Sequence, residues 1–95
     1  MLEYLKTHIL EEIEGAIDYW SKAVEHKKDD WGCLFRKMAE MELEHANVLT
    51  KMFLKMEKPK AVTDAEYSAM HKEILDSYAD GMSKVEAMKK IYWAE

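Results

Sequence analysis

An all-α fold is what this sequence predicts, on three observations. Apolar residues recur at three- and four-residue spacing along most of the chain, and no stretch alternates as a strand would. Helix breakers are scarce, with only three Gly and one Pro in 95 residues. The composition, 48% apolar and 35% charged, is that of a soluble helical protein and not of a disordered or fibrous one. The length suggests one domain, 1–95.

The first long helix is expected over about 3–28, where Leu2, Leu5, Ile9, Ile13, Ala16, Ile17, Trp20 and Val24 form a stripe. "KKDDWG" then breaks it, and Asp29 or Asp30 can cap a second long helix over about 31–57. That helix carries Trp31, Leu34, Phe35, Met38, Met41, Leu49, Met52, Phe53 and Met56 as its apolar stripe, and Pro59 follows its end. "TDAE" at 63–66 reads as a capping box opening a third helix over about 64–79, with Gly81 as its C-terminal cap residue. "SKVE" at 83–86 reads as another, opening a short last helix over about 84–93. The two long helices, joined by so short a break, should form an antiparallel hairpin. The shorter C-terminal helices would leave much of it uncovered, so a second copy is expected to complete a four-helix bundle as a homodimer.

Several functions are disfavoured. The net charge of −5 and the lack of a dense basic cluster argue against nucleic acid and against an anionic membrane surface. No apolar run approaches the roughly 20 residues of a membrane span. The N-terminus carries acids where a signal peptide would be basic, so a cytoplasmic location is expected. The lone Cys33 fits a reducing compartment. No nucleophile motif or phosphate-binding loop is present.

The chemistry lies in "MAEMELEH", 38–45. On a helical wheel His45 falls within about 15° of the middle of the second helix's stripe and Glu42 within about 45°, whereas Glu44 and Glu40 point to solvent. On the first helix Glu12 lies about 75° from the stripe centre, at its edge, while Glu11 and Glu14 face away. Glu12, Glu42 and His45 thus aim at or near the bundle interior. A buried carboxylate must be neutralised, paired or metal-bound, and no Arg or Lys sits mid-stripe. Residues three apart share a helix face, so one carboxylate and one imidazole can reach the same ion. A Glu-x-x-His on one helix with a Glu on its neighbour is the ligand pattern of di-iron carboxylate bundles. Carboxylate and imidazole donors suit iron, with manganese or zinc also accommodated.

With these residues placed, "EEIE…Y" (Glu12, Tyr19) and "EMELEHA" (Glu42, His45) resemble the encapsulated-ferritin branch of the ferritin-like superfamily over about 10–55. Those proteins are half-ferritins, with two helices per subunit and a di-iron site completed across a dimer interface. The resemblance implies Glu12, Glu42 and His45 as metal ligands, two irons per dimer, and Tyr19 beside the metals. It also implies Glu11 and Glu14 along an access route for ions, Fe(II) oxidation by O2, and a dimer or a ring of dimers. Asp18 stands where the family carries a Trp, and Trp20 follows Tyr19 instead. "AMKKIYWAE" lacks the Gly/Leu-rich tag that docks such cargo in an encapsulin shell, so a shell is not an expected partner. Two other readings suit the same residues: a non-catalytic dimerisation module whose Glu42–His45 pair sets register, and a bundle binding zinc or calcium for structure only. His8 and His26 fall on the Glu12–Tyr19 side and could add an accessory site, although surface histidines are commoner. His71 and the methionines read as structural.

Overall fold

The computed structural model describes residues 1–95 and contains three helices and no strand: α1 (Leu2–Glu25), α2 (Asp30–Lys55) and α3 (Asp64–Trp93). The hairpin forms as expected. Residues late in α1 meet residues early in α2, as in the Tyr19–Phe35 and His26–Phe35 ring contacts, so the two helices run antiparallel. Asp29 is the cap: its side chain accepts hydrogen bonds from the backbone N–H groups of Trp31 at 2.9 Å and Gly32 at 3.3 Å. Thr63 caps α3, accepting from the Glu66 N–H at 3.1 Å.

The two expected C-terminal helices are one helix of 30 residues. Gly81 does not terminate it. No glycine in the chain adopts positive φ, so the left-handed cap that Gly81 could supply is never made. Gly81 is instead buried against α1, where an added Cβ would lie 2.5 Å from Ile13 Cγ2. A packing contact occupies the glycine that local sequence marked as a stop, and Ile74 and Val85, buried on either side of it, carry the same apolar face through. At about 1.5 Å per residue, α3 spans roughly 45 Å, long enough to cover one whole side of the hairpin. It runs parallel to α1, with Lys6 pairing to Glu73 at 3.1 Å near one end. At the other end Lys27 Nζ donates to the carbonyls of Ile91 at 2.8 Å and Ala94 at 3.0 Å. Tyr67 and Tyr78 tie it to α2 by donating to the Met56 carbonyl and to Asn47 Oδ1.

The packing of α2 also differs from the expected stripe. Of its expected stripe only Phe53 is fully buried, while Trp31, Leu34, Met41 and Met52 are exposed. The inner seam is Gly32, Ala39, Ala46 and Phe53, spaced seven apart, facing Ile9, Ala16 and Ala23 of α1. Small residues at heptad spacing let two helix backbones approach closely, and the larger side chains of α2 then flank the seam. Only 15 of 95 residues are buried. The radius of gyration is 15.4 Å, with extents of 52 × 18 × 15 Å, against about 12 Å for a compact domain of this length. No helix is long and apolar enough to cross a membrane.

Candidate metal centre

Glu12 comes from the middle of α1, and Glu42 and His45 from the middle of α2, one turn apart on the same face. The structure brings them together. His45 Nδ1 lies 3.6 Å from Glu12 Oε2, and the Glu42 carboxyl meets that of Glu12. The Glu42 pKa is pushed up to about 7, first by the hydrogen bond shared with Glu12, then by burial and by the Glu12 charge; His45 and His8 pull it the other way. A protonated Glu42 can donate to Glu12. With both ionised, Glu12 Oε2 is buried without any donor, the kind of orphaned atom that a proton or a cation satisfies.

His8 joins this group from one turn before Glu12. Its Nε2 lies 3.8 Å from Glu12 Oε1, its Nδ1 3.8 Å from Glu11 Oε2, and its ring stacks on Tyr4 at 5.5 Å. A shallow cleft of about 410 Å³, lined by His8, Glu12, His45, Val48 and Leu49, opens here to the outside. The Glu12 side chain is 15% exposed and that of His45 57%, so the imidazole forms the outer rim of the cleft and the Glu12 carboxyl its floor. Within one chain, no three His, Cys, Asp or Glu side chains are grouped so that they could hold a metal ion.

The other expected residues surround the carboxyl pair at greater remove. Tyr19 packs on the Phe35 ring at 6.3 Å and lines a separate cleft of about 590 Å³ with Gly15, Asp18 and Glu25. Glu11 is exposed beside His8. Glu14 lines the α1–α3 groove with Ile17 and Asp80, away from the carboxyl pair. His26 is engaged at the hairpin turn, Nδ1 3.0 Å from Asp29 Oδ2, where the contact holds Asp29 below its ordinary carboxylate pKa. His71 sits between the rings of Phe53 and Tyr67 at 4.9 and 4.5 Å. Cys33 is exposed and free.

Sequence reasoning underrated two neighbours of the carboxyl pair. The four-residue spacing of His8 and Glu12 was the available signal for the first. The second, Gly15, left no signal of its own beyond being a glycine inside a helix. Comparison with protein-family models, with curated proteins and with solved structures finds no match for the chain.

Proposed function

We propose that this chain is a ferritin-like di-metal carboxylate protein that binds and oxidises Fe(II) at a site shared by two copies. The observation that carries this reading is the Glu12–Glu42 carboxyl pair, flanked by His45, on a face that the chain's own third helix leaves bare. Trp31, Leu34, Met41, Val48 and Met52 are all 45–59% exposed on α2. With the half-buried Met38 and with His45 they repeat at three- and four-residue steps, the pattern of a helix-pairing seam. Exposed apolar runs of this kind mark interfaces.

The donors lie at mid-length. α1 runs from Leu2 to Glu25 and α2 from Asp30 to Lys55, so Glu12, Glu42 and His45 fall near the centre of each helix. Any fully overlapped two-fold pairing of the bare faces therefore sets one group of donors opposite the other and completes a four-helix bundle. Four carboxylates and two imidazoles would then converge with no basic side chain among them. Hard divalent or trivalent cations offset that charge, iron first and manganese or zinc as substitutes.

In this reading Fe(II) is the substrate and O2 the oxidant: two ions would give up one electron each, and O2 with those two electrons and two protons would leave as hydrogen peroxide. Glu12, Glu42 and His45 would hold the ions, the carboxylates offsetting their charge and the imidazole adding a nitrogen donor. Cation and proton would compete for the Glu12 and Glu42 oxygens, so binding would be weaker at acid pH. Tyr19, two turns beyond Glu12, would contribute only as an electron path. The free, exposed Cys33 suits a cytoplasmic setting.

The exposed seam also favours a second reading, a dimerisation module in which Glu42 and His45 only set register. Oxygen uptake after Fe(II) addition, compared between the wild-type chain and His45→Ala, separates the two. A ferroxidase consumes O2 and loses that activity in the variant while still dimerising. A module consumes none and changes its oligomeric state.

A further inference from the structure

Gly15 lies three residues after Glu12 on α1, in the middle of a helix, where glycine is less favourable than alanine. A Cβ added there would stand 2.8 Å from Glu42 Oε2, 3.3 Å from its Cδ and 3.7 Å from its Cγ. Its three nearest neighbours thus belong to one side chain, and the closest is inside any real Cβ contact. The other two glycines differ. A Cβ at Gly32 would strike the His26 backbone carbonyl at 2.2 Å, and one at Gly81 would strike Ile13, so both serve helix packing. Gly15 alone faces the functional end of a charged side chain.

We propose that Gly15 is a positioning residue for the metal site: the space left by its missing side chain is the slot that seats the Glu42 carboxyl against α1, within reach of Glu12. The inference rests on the metal-binding reading above and adds the residue that sets donor geometry. The displaced atom at Gly15 is the end of a flexible side chain. A Gly15→Ala variant therefore keeps its fold and turns the Glu42 carboxyl out of the slot. Filling the slot acts on the site and spares the helix pair.

The test is anaerobic titration of the full chain with Co(II) alone, reading affinity and ligand-field absorption, alongside thermal melts followed by circular dichroism. The wild-type chain should bind Co(II). Gly15→Ala should bind about tenfold or more weakly, with altered absorption bands and an unchanged or higher Tm. In Gly15→Ala/Glu42→Asp the carboxylate is one methylene shorter and clears the new Cβ, so part of the affinity returns, although Glu42→Asp alone weakens binding. Wild-type affinity and spectrum in Gly15→Ala would overturn the positioning role and leave the metal reading standing. No Co(II) binding by the wild-type chain would overturn both. Loss of helix content in Gly15→Ala would also overturn it, because the glycine would then be serving packing.

Discussion

The two sides of the α1–α2 hairpin are built on opposite plans. On the side facing α3, Ile9, Ile13, Trp20, Phe53, Ile74 and Val85 are at most 6% exposed, and tyrosine and lysine hydrogen bonds pin α3 along its length. On the other side, Tyr4, Trp31, Met41, Val48 and Met52 lie at 53–63% exposure around a carboxyl pair and two imidazoles. Large apolar groups left out of the core, beside a largely buried carboxyl pair, set this side apart from the one that folds the chain, and on the proposed function it is the side that meets a second copy.

The comparison is broken most directly from the covered side. Phe53→Ala should cost about 3–5 kcal/mol, through lost burial and the cavity left against Ile74; urea denaturation reads it. Gly32→Ala comes next, at about 1–3 kcal/mol, because its Cβ meets a backbone carbonyl that cannot turn aside.

The bare side should respond to pH. The Glu42 pKa is raised from 4.5 to about 7 in the fold, so between those values the folded, metal-free chain holds a proton that the unfolded chain has lost. Stability is therefore greatest below about pH 4.5 as far as this group is concerned, and falls as pH rises toward 7. Glu42 is only partly buried, and solvent screening leaves about 1 kcal/mol of that effect. Glu42→Gln should flatten the slope in thermal melts taken across the same range. The smallest effect on folding belongs to Met41→Lys, within about 0.5 kcal/mol. The same variant should strongly weaken self-association in sedimentation velocity, which sharpens the contrast between the two sides.

Much of this was legible in the sequence, because periodicity and caps are local. The helical class, the hairpin, a cap at Asp29 or Asp30 and another at Thr63, and the approach of Glu12 to His45 follow from spacing, but spacing also put His45 in the middle of the buried stripe, where the imidazole is instead 57% exposed. The continuous α3 was not legible: Asp80-Gly81 and Ser83 imitate a stop and a start, and only the contact with Ile13 overrides them. The inner seam of α2 was missed because a wheel weighted toward large residues passes over Gly32, Ala39 and Ala46. The seating of Glu42 against Gly15 depends on how closely two backbones approach, a distance no single helix encodes.

The central claim is that the bare faces of two chains join around cations held by Glu12, Glu42 and His45. Native mass spectrometry after anaerobic Fe(II) loading tests it most directly. The account predicts a dimer carrying about one ion per chain. A monomer, or a dimer that carries no metal, would contradict it.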